Sequence, residues 1–198
     1  MIWAVILAAG ESKRMGRQKL LLPFGDVTVI EAVARTALNS RVDRALAVLG
    51  ADREAVRGKL EPYGVEFAVN EDYVKGMLSS VQAGFRALPS EAEAAVIMLG
   101  DQPFLPAPVI DTVIEAYRES GKGIVLPAFR GRRGHPVVIG LKYRDTVLAL
   151  DPDEGLRGLM RAHPDDIDEA EVDDPNILRD MDVPEDYVDL QEGVKPTR

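Results

Sequence analysis

The stretch LAAGESKRMGRQK, Leu7 to Lys19, sets four basic side chains, Lys13, Arg14, Arg17 and Lys19, directly behind the small residues Ala8, Ala9 and Gly10. Small residues let a ligand approach the main chain closely. Turned N–H groups beside a guanidinium and an ammonium suit the oxygens of a phosphate chain. The spacing matches neither common phosphate loop: five residues separate Gly10 from Gly16 with no Gly-Lys-Ser/Thr after them, and there is no G-x-G-x-x-G. By composition alone a solvated surface loop fits equally well.

Four further stretches carry reactive types. In IMLGDQPFL, Asp101 follows a buried run and a glycine, a placement suited to Mg2+, which takes one or two carboxylates and leaves its other positions to water and phosphate; the alternative is a turn cap before Pro103. NEDYVKGMLSSVQAG offers Asn70, Gly76, Ser79 and Ser80 to a sugar or base, or only a helix cap through Ser79 and Gln82. RGRRGHP, with Arg132, Arg133, Gly134 and His135, is a second basic turn that could meet an anionic second substrate or be an exposed hairpin. In RDMDVPEDY the carboxylates could supply a second metal ligand or only cap the last helix, where Asp182 precedes Val183-Pro184.

Such residues need a frame. Short apolar runs at Ile2 to Ala9, Arg44 to Gly50, Val65 to Asn70, Ala94 to Gly100, Gly123 to Phe129 and His135 to Gly140 read as strands, most of them buried on both faces. Between them, helical spacing predicts helices over Thr28 to Leu38, Asp52 to Leu60, Ser79 to Leu88 and Pro108 to Glu119. The first opens on the capping-box pair Thr28 and Glu31. Strand and helix in alternation predict an α/β fold, a three-layer α/β/α sandwich around a mainly parallel sheet, which the resemblance given below implies to be Rossmann-like. In such sheets ligands sit outside the carboxyl ends of the strands, so the loops that leave the first, fourth and last strands are where a site is expected. Beyond Gly140 the pattern loosens into two short helical segments, Leu141 to Leu150 and Glu154 to Arg161, and an acidic run from Asp165 to Asp174. Nothing splits the chain, so one domain over 1–190 is expected, with 191–198 as a tail.

Composition narrows the classes. With no cysteine among 198 residues, thiolate metal sites, disulfides and cysteine nucleophiles are excluded, and a reducing cytoplasm is the expected location. Two histidines, His135 and His163, make a multi-histidine metal site a poor expectation. A net charge of −9 gives no general attraction to nucleic acid or anionic membrane, and no apolar run is long enough to span a bilayer. Clustered basic residues therefore stand out.

Taken together and in order, LAAGESKRMGRQKLLLPFG, NEDYVKGMLSSV, GDQP, GHPVVI and DMDVPEDY resemble the molybdenum cofactor nucleotidyltransferases, a branch of the NTP transferases with a glycosyltransferase-A-like fold. The likeness runs from Ile2 to about Tyr187. Ala9 in LAAG is similar to the cytidylyl-transferring members, where guanylyl-transferring ones usually carry a further glycine. The resemblance implies a reaction in which CTP and the phosphate of molybdopterin-bound molybdenum give a cytosine dinucleotide cofactor and pyrophosphate. It implies that Leu7, Ala8, Ala9 and Gly10 cradle the nucleotide and that Arg14 and Lys19 hold its phosphates. Asp101 and Asp182 would bind Mg2+, Asn70, Ser79 and Ser80 would meet cytosine and ribose, and Arg132, Arg133, Gly134 and His135 would meet the acceptor. A receiving molybdoenzyme or its maturation factor is the implied protein partner. Transfer to methylerythritol phosphate or a sugar phosphate, guanylyl transfer, and a non-catalytic carrier of finished cofactor remain alternatives.

Overall fold

Alternate residues along each central run face opposite ways, and both sides find apolar partners. In the computed structural model, which describes residues 1–181, strand β1 (Ile2–Ala8) sends Ile2, Ala4, Ile6 and Ala8 into one core and Trp3 and Val5 into another. Strands β4 (Arg44–Leu49) and β6 (Ala94–Leu99) divide their side chains in the same way. Helices α1 (Val29–Leu38), α2 (Arg53–Leu60) and α4 (Ala107–Ser120) close the first core. Helices α3 (Met77–Ala87), α5 (Arg144–Leu148) and α6 (Leu156–Ala162) close the second. The expected three-layer α/β sandwich is thus the architecture observed. Each large side chain removed from water in these layers is worth about 1.5–3 kcal/mol before entropy is counted.

The remaining strands are β5 (Glu66–Val69), β7 (Ile124–Phe129), β8 (Arg132–Arg133), β9 (Val137–Gly140) and β10 (Ile167–Glu171). The main sheet has the order β10-β7-β9-β6-β1-β4-β5, with β8 attached to β7. Within it β5, β4, β1 and β6 are parallel, while β9 runs antiparallel to both β6 and β7. A separate hairpin, β2 (Pro23–Phe24) with β3 (Val27–Thr28), turns through Gly25 at φ 62°. From β1 the chain builds outward to β4 and β5, then crosses back to β6 on the other side of β1. The sheet's switch point, and the crevice such a reversal opens, therefore lies between the carboxyl ends of β1 and β6.

Two local departures from the sequence reading have clear causes. The acidic run at 165–174 contains β10, an edge strand that buries only Ala170 and keeps its charges outward, so it shows no apolar run. Helix α3 starts at Met77 with Gly76, at φ 100°, as its cap residue. Ser79 and Gln82 consequently form no capping box: the Ser79 hydroxyl donates to the Gly76 carbonyl, and the Gln82 amide reaches the carbonyls of Val147, Leu148 and Leu150. Among the described residues no helix is long and apolar enough to cross a membrane.

Candidate active site

The crevice at the switch point is a cleft of about 340 Å3. Glycines at two strand exits let its walls close up. A Cβ on Gly100, after β6, would stand 2.7 Å from the Leu7 carbonyl, and one on Gly50, after β4, would stand 2.7 Å from the Ala9 carbonyl. The Gly100 N–H donates to Leu7 and the Ala51 N–H to Ala9, so three strand ends are tied together. Leu7, Ala9, Gly10, Lys19, Ser80 and Asp101, all expected site residues, line this cleft. Ala8, fully buried, closes β1 behind it.

Lys19 and Asp101 meet at the cleft. The Lys19 ammonium donates to Asp101 Oδ2 at 2.5 Å and to the Met181 carbonyl at 2.6 Å, with both side chains about five-sixths buried. Burial pushes the Asp101 carboxyl above the ordinary carboxylate value; Lys19 pulls it down, Asp180 adds to the rise, and burial prevails. Asp180 also lines the cleft, and the donors gathered there, two carboxylates and a main-chain carbonyl, are all oxygen. Oxygen donors in that small number suit a hard divalent cation that keeps water and phosphate in its shell.

The expected donor loop makes a turn of 3-10 helix at Lys13–Met15, entered through Ser12 in the left-handed region at φ 53°. Arg14 lies on this turn, and its side chain is outside the described residues, as is Asp182. Asn70 and Ser79, expected to touch the nucleotide, are turned elsewhere. The Asn70 amide donates to Ser79 at 2.8 Å and to Ser80 at 3.0 Å and accepts from the Asp72 N–H, so it braces the 70–80 segment from beneath. Ser12, Tyr73, Met77 and Asp180 line the cleft without having been singled out from sequence. Asp180 had a visible signal, the first acid of the Asp-x-Asp pair in RDMD; Tyr73 and Met77 had none.

A second cavity, about 610 Å3, adjoins the cleft across Gly76 and Met77, which line both. Because β9 runs backward, the residues that lead into it reach the same rim as the exits of the parallel strands, and Arg133, Gly134 and His135 line this cavity. Its floor is apolar, with Leu126, Val137 and Met160 among its residues. Burial pushes the His135 imidazole down, against the Ile97 carbonyl and the charges of Asp101 and Asp180, and its Nδ1 is buried with no hydrogen-bond partner among the described residues. Gly134 is required where it stands, since a Cβ would run into the Ile177 carbonyl. Arg133 pairs with Glu169 at 2.6 Å, and exposed Arg132 lines neither cavity. The two-residue turn before it, Arg130 and Gly131 at φ 50° and 73°, is the twist a tight hairpin needs.

Known proteins resemble this chain in sequence and fold. Residues 4–167 match the model of the MobA-like NTP transferase domain. Over 93% of both chains the sequence is 35% identical to nicotine blue oxidoreductase of Paenarthrobacter nicotinovorans. It is 27% identical, over 95% of this chain and 94% of the other, to molybdenum cofactor cytidylyltransferase of Escherichia coli strain K12. Among solved structures, Rv0371c of Mycobacterium tuberculosis H37Rv in complex with manganese superposes with a TM-score of 0.82 at 28% identity, covering 98% of this chain and 99% of that one. Such agreement in sequence and three-dimensional structure makes the chain a member of the MobA-like NTP transferase family, similar to the molybdenum cofactor nucleotidyltransferases within it.

Proposed function

We propose that this protein transfers CMP from CTP to the phosphate of molybdopterin-bound molybdenum and releases pyrophosphate. The observation that carries the reading is the layout of two adjoining cavities: a cleft with Lys19 and Asp101 at a sheet switch point, and a larger cavity that shares Gly76 and Met77 with it. One holds the donor and the other the acceptor. The cytidylyltransferase among the relatives supports the choice of base and acceptor.

In this reading an acceptor phosphate oxygen attacks the α-phosphorus, the bond from that phosphorus to the bridging oxygen of the β-phosphate breaks, and pyrophosphate leaves with both electrons of that bond. The acceptor is already an anion near neutral pH, so no protein base removes a proton. The backbone of Leu7, Ala8, Ala9 and Gly10 holds the triphosphate, and Arg14 and Lys19 neutralise its charge as it shifts to the leaving group. Ser80, braced by Asn70 and Ser79, faces the nucleoside. Asp101 and Asp180, with Asp182 beyond the described residues, hold a divalent cation, Mg2+ by expectation. When bound, that cation supplies charge neutralisation at the phosphates. Gly134 and His135 face the acceptor, with Arg132 and Arg133 at the rim.

The test is pyrophosphate release by the purified protein with Mg2+ and molybdopterin-bound molybdenum, run in parallel with CTP, GTP, ATP and UTP and repeated with Asp101→Asn. Release with CTP alone, lost in the variant, is the expected result. A preference for GTP overturns the base assignment. Release only with methylerythritol phosphate or a hexose phosphate as acceptor overturns the acceptor assignment, and nucleotide binding without release under any condition overturns the enzymatic reading.

A further inference from the structure

The Gln18 amide has all four of its hydrogen-bonding positions engaged, and each bond ends on the donor loop or on the neighbouring strand exit. Its Oε1 accepts from the Ser12 hydroxyl at 2.9 Å and from the Leu20 N–H at 3.4 Å. Its Nε2 donates to the Gly10 carbonyl at 3.1 Å and to Asp52 Oδ2 at 3.2 Å. The Ser12 hydroxyl in turn accepts from the Lys19 N–H at 3.1 Å, which closes a ring of contacts from Gly10 to Lys19.

A Cβ on Gly10 would meet nothing within 4 Å, so the loop is open on that side. A flip there would exchange an N–H for a carbonyl oxygen at the edge of the cleft, and a carbonyl repels phosphate. Ser12 at φ 53° and Asp52 at φ 52° both sit in the left-handed region, unusual for residues with side chains, and both are tied to the same amide.

We propose that Gln18 is a positioning residue for the nucleotide: it holds the Gly10 to Ser12 segment in its anion-binding conformation and fastens it to the start of α2 through Asp52. The proposal rests on the reading of this cleft as the nucleotide site. Without Gln18 the segment must be ordered each time nucleotide binds, a cost shared equally by ground state and transition state. Such a cost raises KM and leaves kcat in place.

The experiment measures MgCTP binding by calorimetry, steady-state kinetics, and amide hydrogen exchange of residues 9–13 without nucleotide, in four proteins: wild type, Gln18→Leu, Gln18→Glu and Gln18→Glu with Asp52→Asn. Gln18→Leu should weaken nucleotide binding and raise KM roughly tenfold, about the value of one or two net hydrogen bonds, with kcat within about twofold of wild type. It should also speed exchange in the loop. Gln18→Glu should be worse, because carboxylate oxygens then face both the Gly10 carbonyl and Asp52. Adding Asp52→Asn should recover part of the loss, since the side-chain amide introduced by that change can donate to the new carboxylate. Unchanged loop exchange in Gln18→Leu, a loss confined to kcat, or no recovery in the double variant would overturn the proposal. If loop exchange responds as expected but wild type binds no nucleoside triphosphate, the brace stands and the nucleotide reading falls instead.

Discussion

The Lys19 ammonium lies 2.5 Å from Asp101 Oδ2 and 2.6 Å from the Met181 carbonyl, so a side chain expected to hold phosphate is bonded to the carboxylate expected to hold metal. A divalent cation bound at Asp101, as proposed, would compete with the ammonium for the same oxygen. Lys19→Met should therefore raise the Mn2+ affinity of the nucleotide-free protein about tenfold, read as free Mn2+ by electron paramagnetic resonance, while turnover falls roughly 100-fold. Unchanged Mn2+ affinity would show that the two cations use different oxygens.

Asp180 supplies charge beside Asp101 and lines the same cleft. In the same titration Asp101→Asn should abolish the tight Mn2+ site, and Asp180→Asn should weaken it by about tenfold through loss of one carboxylate. Full Mn2+ affinity in Asp180→Asn would remove that residue from the cation site.

Two helix glycines should respond in opposite directions. A Cβ on Gly84, where α3 crosses the sheet, would stand 2.6 Å from Val5 Cγ1, whereas one on Gly58 in α2 meets nothing within 4 Å. Gly84→Ala should destabilise by about 1–3 kcal/mol, and Val5→Ala in the same chain should recover part of it. Gly58→Ala should stabilise by about 0.5–1 kcal/mol. Urea unfolding of the three proteins gives both signs.

At the opposite end of the sheet, the Tyr143 hydroxyl donates to Asp166 Oδ2 at 2.5 Å and Lys142 pairs with the same oxygen at 2.7 Å. The bonds from Lys142 and then Tyr143 hold the Asp166 carboxyl at about 2, below its ordinary 3.8. A depressed carboxyl stabilises the fold above its unfolded value, so this contribution is present above about pH 4 and lost as pH falls towards 2. Burial, with Asp166 second, pushes the Tyr143 hydroxyl up to about 12 from 10, a contribution present below pH 10 and lost as pH rises through 12. Asp166→Asn should flatten the acid limb of a Tm-against-pH curve and leave the curve's shape between pH 5 and 9 unchanged; an acid limb as steep as wild type refutes the assignment.

Lys19 was legible because clustered cations stand out in an acidic chain, and Asp101 because it follows a buried run and a glycine. Gln18 was not, since a neutral amide carries no signal until its partners are known. Asn70 shows the converse: its type suits a nucleotide contact, but residue type does not reveal direction, and its amide turns inward to Ser79 and Ser80. The central strands were readable from their apolar runs, whereas β10 escaped because an edge strand needs few apolar residues. The reversal of β9 depends on pairing across the sheet, which no local pattern encodes.

That reversal separates two workshops within one sheet. Lys19 and Asp101 are placed by the exits of β1 and β6, while the larger cavity adds β7, the approach to β9 and the segment around α6 to the start of α3, which the two share. Arg157 and Met160, which line that cavity from α6, lie off the ladder between β1 and β6. If the two cavities hold donor and acceptor as proposed, a fold divided in this way keeps its donor chemistry while its clientele drifts.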